Sequence, residues 1–140
     1  MKDPKYDSLS HAKFRIQYHI IFSTKYRRNV LSGSFAEEIK QYMKQIEERQ
    51  DKWKIEIMKI DPIKPNHIHF LIKSTPFIPI SDIIHDLKQS STYYAWKNNY
   101  AHMKQFYWKK PHHLWTRGYF CSTIGDACTS TIWNYIQHQG

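Results

Sequence analysis

A chain of 140 residues allows one domain with a substantial core and leaves no room for two. Its content of 41% hydrophobic and 16% aromatic residues excludes a disordered protein, and no apolar run approaches the roughly 20 residues that a membrane-spanning helix needs. The 21 Lys and Arg residues against 12 Asp and Glu give a formal net charge of +9, typical of proteins that bind nucleic acid. We therefore expect one cytosolic, nucleoid-associated domain over residues 1–140, with residues 1–11 flexible and no membrane partner.

The first predicted strand covers residues 14–22, where apolar and polar residues alternate with the period of a half-buried strand. The apolar positions are Phe14, Ile16, Tyr18, Ile20 and Phe22. The opposite face carries Arg15, Gln17 and His19. A basic turn over residues 25–28 follows this strand.

A helix is predicted next, with Ser34 as its N-cap and Glu37 completing a capping box. Its apolar residues recur at helical spacing and are Phe35, Ile39, Tyr42, Met43 and Ile46. Alternating apolar residues then indicate a second strand at residues 53–57 and a third at residues 67–72.

A second amphipathic helix is predicted over residues 80–94, with Pro79 or Ser81 near its start. Residues 99–115 are expected to form an irregular, basic and aromatic connection, followed by a fourth strand at residues 118–124. Asp126 is placed to cap a last helix that ends near Gln139. Short connections between these elements favour an α+β protein with a ferredoxin-like or RNA-recognition-like fold. Such a fold has an antiparallel four-stranded sheet with helices on one face, here extended by a C-terminal helix.

Two histidines stand at alternate positions of the third strand. Side chains at i and i+2 of a strand project from the same face, so His67 and His69 lie side by side. Two imidazoles at this spacing can share a divalent cation, although paired histidines on a sheet are often only half-exposed polar residues. Two ligands are too few for a metal site, so a third must come from elsewhere in the chain.

The last predicted helix brings a phenol and an amide to one side. Tyr135 and Gln139 are four residues apart, which places them about 40° apart around the helix axis. An alternative interpretation is that Tyr135 anchors this helix in the core while Gln139 lies at a frayed end.

Several short motifs occur in one order along most of the chain. They are Tyr18-His19-Ile20-Ile21-Phe22, Lys25-Tyr26-Arg27-Arg28, Asn66-His67-Ile68-His69-Phe70-Leu71-Ile72, Leu114-Trp115, Tyr119-Phe120 with Thr123 and Gly125, and Tyr135-Ile136-Gln137-His138-Gln139. Together they resemble the single-tyrosine transposases of the HUH class, enzymes of the simplest bacterial and archaeal insertion sequences and relatives of the REP-associated tyrosine transposases. The resemblance covers about residues 11–139.

The resemblance implies a metal-dependent transposase that cleaves and rejoins single-stranded DNA through a 5′-phosphotyrosine intermediate. It makes Tyr135 the nucleophile and His67, His69 and Gln139 the ligands of Mg²⁺ or Mn²⁺. It also implies a homodimer and recognition of DNA hairpins at the ends of the element. One departure from the family is Asn66, where an aspartate is common and could serve as a carboxylate partner of the metal site. A second departure is that the chain continues only one residue beyond Gln139.

Basic and aromatic residues near the predicted site are the candidates for DNA contacts, because phosphates attract Lys and Arg and unpaired bases stack on aromatic rings. They are Lys25, Tyr26, Arg27, Arg28, Lys109, Lys110 and Arg117. For any single Lys or Arg among them, a solvated surface charge is the more common interpretation. The six other histidines considered, His19, His85, His102, His112, His113 and His138, are interpreted as structural or surface residues.

Three alternative functions remain open from the sequence. One is a housekeeping role, in which a domesticated transposase acts on dispersed chromosomal hairpins. A rolling-circle replication initiator or relaxase also combines a histidine pair with a tyrosine, but usually carries a larger domain. A non-catalytic nucleic-acid-binding module of the same topology would place aromatic residues on its central strands.

Overall fold

A computed structural model of the protein describes residues 7–9, 12–14 and 16–124. The strands in these ranges are β1 (Asp7–Leu9), β2 (Ala12–Phe14), β3 (Ile16–Ser23), β4 (Lys54–Ile60), β5 (His67–Ser74) and β6 (Phe120–Ile124). The helices are α1 (Ser34–Glu48), α2 (Ile80–Asn98) and α3 (Tyr100–Phe106). The predicted last helix, with Tyr135 and Gln139, lies outside the described residues.

The main sheet has four strands in the order β4-β5-β3-β6, and every neighbouring pair is antiparallel. Its two central strands, β3 and β5, are far apart in the sequence and pair along their whole length, from Ile16 opposite Ser74 to Ser23 opposite His67. The α+β fold with a ferredoxin-like strand order is therefore confirmed.

One face of this sheet packs against α1 and α2 and forms the core. Alternate residues of the central strands, among them Phe22 on β3 and Phe70 on β5, have no exposed surface. They join one buried cluster with Ile39 of α1 and Leu87 of α2. Because burying one such side chain contributes roughly 1.5–3 kcal/mol, this face fixes the strand register and turns the alternate residues to the other face.

Strand β4 departs from simple alternation. Ile55 pairs with Ile72, whereas Ile57 pairs with Leu71, so Glu56 is an extra residue in a bulge. Ile55 consequently packs in the core, while Ile57 packs beside Leu71 in a separate small cluster. A period of two would have placed both isoleucines on one face.

The predicted start of the first helix is wrong in detail. Ser34 is the first helical residue, and the N-cap is Gly33, whose φ of 58° and ψ of −140° suit a residue without Cβ. Neither a side-chain cap nor a capping box forms; Glu37 pairs instead with Lys40 at 3.7 Å. The second helix begins at Ile80 after Pro79, as expected, but continues to Asn98.

Two further segments differ from expectation. Tyr100–Phe106 forms α3 within the stretch 99–115 that was predicted to be irregular, and only Met103 of this helix is buried. A single buried position gives no detectable period, which explains why the helix was missed. Asp7–Leu9, within the stretch expected to be flexible, pairs with Ala12–Phe14 as a short hairpin. Among the described residues, no helix is long and apolar enough to cross a membrane.

Candidate metal and nucleic-acid site

The two histidines of β5 lie on the sheet face that does not contact α1 and α2. Their ring centroids are 5.0 Å apart and the ring planes are inclined at 74°. His67 is half-buried at the start of the strand, whereas only 3% of the surface of His69 is exposed. The side-by-side arrangement predicted for His67 and His69 is therefore present in the fold.

A third histidine joins this pair from the neighbouring strand. His19 of β3 is fully buried, and its Nε2 lies 3.1 Å from Nδ1 of His69, within hydrogen-bonding distance. The two rings are stacked, with centroids 5.4 Å apart and planes inclined at 16°. Phe120 of β6 packs edge-on against His19. His19, interpreted from the sequence as a structural or surface residue, thus lies buried in the sheet in contact with His69.

His67 is oriented by its neighbour in the chain. Its Nδ1 lies 2.7 Å from Oδ1 of Asn66. An amide oxygen only accepts hydrogen bonds, so Nδ1 of His67 donates the proton and Nε2 keeps its lone pair. Asn66 thus takes the orienting position that a carboxylate was expected to occupy.

Burial favours the neutral forms of His69 and His19. Desolvation, reinforced by the nearby His67 and His19, lowers the pKa of His69 from 6.5 to about 4. Desolvation also lowers the pKa of His19. Neutral imidazole is the form that binds metal ions, so His69 is ready to act as a ligand at neutral pH.

One nitrogen of the pair has the properties of an unused ligand atom. Nε2 of His69 is buried and has no hydrogen-bond partner among the described residues, a state that costs roughly 1–3 kcal/mol unless a ligand satisfies it. A divalent cation beside His67 and His69 would satisfy this atom. Within the described part of the chain, no three His, Cys, Asp or Glu side chains are arranged so that they could hold a metal ion together. Further ligands must therefore come from other residues, from water or from substrate oxygens.

Asp61 lies six residues before His67, in the turn that leads into β5. Its Oδ1 accepts a hydrogen bond from the backbone N–H of Ile63 at 2.9 Å, which closes the turn before β5. This backbone hydrogen bond lowers the pKa of the Asp61 carboxyl, with a smaller contribution from nearby His67.

A basic and aromatic cavity is lined by two loops that meet beyond Ser23 of β3. The cavity is open and has a volume of about 400 Å³. Its lining residues are Tyr26, Arg28, Tyr107, Trp108, Lys109, Lys110, Pro111 and His113. The fold therefore brings together four of the seven predicted DNA contacts, which are separated by about 80 residues in the chain.

Arg28 organises this cavity, which we call the aromatic pocket. Its guanidinium lies 5.1 Å from the ring centroid of Tyr26 and 4.6 Å from that of Trp108. It also donates a hydrogen bond to the backbone carbonyl of Phe106. Tyr26 and Trp108 nevertheless remain 62% and 61% exposed, so a face of each ring is accessible to a ligand.

The backbone below the pocket is strained. Tyr26 and Arg27 both have positive φ, 61° and 52°, which is uncommon for residues other than glycine and costs of order 1 kcal/mol each. The turn is held in place by flanking hydrogen bonds, including one of 2.8 Å from the hydroxyl of Tyr107 to the carbonyl of Lys25. This strained turn displays Tyr26 and Arg27 on the surface.

Arg117 lies apart from the aromatic pocket, in a shallower cavity beside Lys88 of α2. The ammonium of Lys88 donates to the carbonyl oxygens of Thr116, Arg117 and Gly118 at 2.9, 3.0 and 2.8 Å. Lys88 was not predicted as a site residue, and it fixes the segment that leads into β6.

Comparison with known proteins gives consistent matches. The sequence matches the family model described as IS200-like transposase over residues 12–139. It is 29% identical over 133 residues to the transposase for insertion sequence element IS200 of Salmonella typhimurium, covering 94% of this chain and 82% of that protein. It is 28% identical over 126 residues to the ISDra2 transposase TnpA of Deinococcus radiodurans, covering 90% of this chain and 85% of that protein.

Two solved structures also resemble the fold. The crystal structure of a proposed transposase from Deinococcus radiodurans R1 matches with a TM-score of 0.71 and 26% identity, over 95% of this chain and 96% of that chain. A REP-associated tyrosine transposase bound to a REP hairpin matches with a TM-score of 0.56 and 11% identity, over 88% of this chain and 61% of that chain. At 11% identity the second match supports the fold alone.

Proposed function

Because this chain belongs to the IS200-like transposase family, we propose that it cuts and rejoins single-stranded DNA through a covalent tyrosine intermediate. Tyr135 is the proposed nucleophile, and His67, His69 and Gln139 are the proposed ligands of Mg²⁺ or Mn²⁺. The observation that carries the proposal is the buried Nε2 of His69, which has no partner among the described residues and lies on the same sheet face as His67. Tyr135 and Gln139 lie outside the described residues, and their roles rest on the family resemblance.

The proposed reaction is a transesterification. The phenol of Tyr135 loses its proton to solvent as its oxygen attacks a phosphorus atom of the strand. The bond to the 3′ oxygen breaks, that oxygen takes up a proton, and the 5′-phosphate remains joined to the tyrosine. Attack by a 3′-hydroxyl on this ester reverses the step, so rejoining needs no ATP. The bound cation supplies charge neutralisation and polarisation of the phosphoryl oxygen.

The aromatic pocket is the proposed path of the single strand next to the site. Tyr26 and Trp108 offer exposed ring faces on which unpaired bases can stack, and Lys109 and Lys110 can neutralise phosphates. Arg27, Lys25 and Arg117 extend this basic surface. Strand β3 ends at Ser23, opposite His67, and the turn that carries Tyr26 follows directly, so the pocket adjoins the histidine pair.

A homodimer and hairpin recognition complete the proposal. Cleavage and strand exchange at two ends of an element require two tyrosines, and two copies of this chain supply them. The structural relative bound to a REP hairpin makes hairpin-bearing DNA the first substrate to test.

The main alternative is a non-catalytic binding module of the same topology. Such modules stack bases on aromatic side chains of their central strands. Here the central strands β3 and β5 carry His19 and His69 on that face, and the exposed aromatic residues of the described chain lie in turns, loops and helices or, for Phe120, on the outer strand β6. The arrangement supports an enzyme over a base-stacking platform.

A cleavage assay tests the proposal. The protein is incubated with hairpin-bearing single-stranded DNA and Mn²⁺, then resolved by denaturing electrophoresis. We expect a metal-dependent covalent adduct with the wild-type protein and none with His67→Ala. His85→Ala, which removes an exposed histidine of α2, serves as the matched control and should form the adduct normally. Unchanged cleavage by His67→Ala would rule out the metal role.

A further inference from the structure

We propose that His19 is a positioning residue that fixes the tautomer of His69, so that Nε2 of His69 keeps its lone pair for the divalent cation. This inference rests on the proposed role of His67 and His69 as metal ligands. It assigns a role to a residue of β3 that contributes no ligand itself.

The contact between the two rings is built into the sheet. β3 and β5 are adjacent, with Ile21 opposite His69, so His19 is the next residue along β3 on the same face. Nε2 of His19 and Nδ1 of His69 are 3.1 Å apart, and the rings are stacked with planes inclined at 16°. His19 and His69 are 0% and 3% exposed, so water does not compete for this hydrogen bond. The pairing therefore fixes which nitrogen of His69 faces the partner strand.

The position of the shared proton decides whether His69 can bind a cation. His19 occupies Nδ1 of His69, so Nε2 is the only nitrogen left for a metal ion. If Nδ1 of His69 donates the proton, Nε2 presents a lone pair. The reverse direction would place an N–H group on Nε2 of His69 and leave no lone pair there for a cation. Only the first arrangement is compatible with a metal ligand.

His67 provides an internal parallel. Its Nδ1 lies 2.7 Å from Oδ1 of Asn66, which can only accept, so Nε2 of His67 also keeps its lone pair. The two proposed ligands are thus oriented in the same way by different partners, an amide directly before β5 and an imidazole on the adjacent strand. Without an acceptor at Nδ1, the tautomer with its proton on Nε2 is no longer disfavoured, and that tautomer has no lone pair on Nε2 for a cation.

Metal affinity gives the first test. Mn²⁺ binding to the DNA-free protein is measured by calorimetry for the wild type, His19→Phe and His19→Gln. His19→Phe keeps a ring but removes the acceptor, and affinity should fall roughly 10- to 100-fold. His19→Gln restores an acceptor oxygen near the position of Nε2 and should recover most of that loss. His102→Phe, the same substitution at a histidine of α3 whose ring contacts the carbonyl oxygen of Val30, should bind like the wild type.

The protonation pattern of His69 gives a second test, on the metal-free wild-type protein. Nitrogen-15 NMR of the imidazole should report a proton on Nδ1 of His69. A proton on Nε2 would overturn the inference, as would a folded His19→Phe variant that binds Mn²⁺ like the wild type. The NMR result stands even if His19→Phe does not fold. If the wild type and His67→Ala bind Mn²⁺ equally weakly, the proposed function fails, a result separate from the NMR outcome.

Discussion

The burial of His69 gives the protein a measurable dependence of stability on pH. Its pKa in the folded state is lowered to about 4, whereas an exposed histidine of the unfolded chain has a pKa near 6.5. As pH falls below about 6.5, the unfolded chain takes up a proton that the folded protein excludes. The free energy of unfolding contributed by His69 is therefore fully present above this pH and is lost as pH falls toward 4. His19 acts in the same direction because burial lowers its pKa as well.

We predict that the free energy of unfolding of the metal-free protein decreases by roughly 2–3 kcal/mol between neutral pH and pH ~4 through His69, since a pKa difference of one corresponds to ~1.4 kcal/mol. Urea unfolding in the presence of a chelator measures it. His69→Leu removes the titrating group and should flatten this dependence, leaving the contribution of His19. His85→Leu, at an exposed position of α2, should retain the wild-type slope. An identical slope for His69→Leu and wild type would contradict the assignment.

Contacts between side chains on neighbouring strands could not be predicted from the sequence. His67 and His69 are two positions apart on one strand, so local alternation alone placed them side by side. His19 is 50 residues from His69, and its contact depends on β3 being the neighbour of β5. The alternation of β3 had already put His19 on the polar face, and that was the one available signal. At Asn66 only the loss of a carboxylate was considered, so the hydrogen bond between its amide oxygen and His67 was not predicted.

The two loops of the aromatic pocket lead to a prediction about strand binding. Trp108 is 61% exposed, and its ring also lies against the guanidinium of Arg28. Stacking of one unpaired base contributes roughly 1–3 kcal/mol, so Trp108→Ala should weaken binding of single-stranded DNA about 5- to 100-fold. Tyr93→Ala removes an aromatic side chain that is 60% exposed on α2, outside the pocket, and should have little effect. Fluorescence anisotropy with a labelled oligonucleotide measures both, and equal affinities for the two variants would exclude stacking on Trp108.

The segment between the aromatic pocket and β6 is held by α2. Lys88 donates to three successive carbonyl groups and its ammonium also lies 5.4 Å from the ring centroid of Phe22. Lys88→Met keeps the length of the side chain but removes the donor, so the free energy of unfolding should fall by about 1–2 kcal/mol. Lys97→Met, at an exposed position of the same helix, is the control. Equal stability of both variants by chemical denaturation would mean that the three carbonyl contacts contribute nothing.

The elements themselves were predictable to different degrees. β5 and the core faces of α1 and α2 have strong apolar periods and were found directly. The bulge at Glu56 turns the side chain of Ile57 to the opposite face of the sheet from Ile55. No local sequence pattern distinguishes this bulge from regular alternation. α3 buries only Met103, and the N-cap of α1 depends on the backbone angles of Gly33 rather than on a side chain. These features arise from packing and backbone geometry, which periodicity does not encode.

The net charge of +9 predicts how DNA binding by the whole protein responds to salt. Each neutralised phosphate releases a counterion, so the logarithm of the binding constant should fall with the logarithm of salt concentration, with a slope of about −3 or steeper for several contacts. Replacing Lys109 and Lys110 by Ala should make that slope shallower by roughly 1–2. Replacing the exposed Lys52 and Lys54 is the matched control. Lys54 begins β4 at the end of the sheet farthest from His67, and Lys52 comes just before it. A flat salt response would argue against this basic surface.

The topology of the whole chain explains how residues from distant segments form one site. The strand order places β3 and β5 together in the centre, so the turn after β3 and the start of β5 meet at one end of the sheet. The family resemblance gave the order of the motifs along the chain but did not predict that the turn after β3 and the start of β5 meet. The roles of Tyr135 and Gln139 remain predictions.

The most direct measurement is to map the covalent DNA adduct on the protein. After reaction with single-stranded DNA and Mn²⁺, trypsin should release residues 118–140 as one peptide, because no Lys or Arg follows Arg117. This peptide contains both Tyr119 and Tyr135, so fragmentation in the mass spectrometer must separate them. We predict a 5′-phosphate-linked nucleotide on Tyr135 that is absent without divalent metal. A nucleotide on Tyr119, or no adduct under conditions in which the DNA is cleaved, would contradict the account.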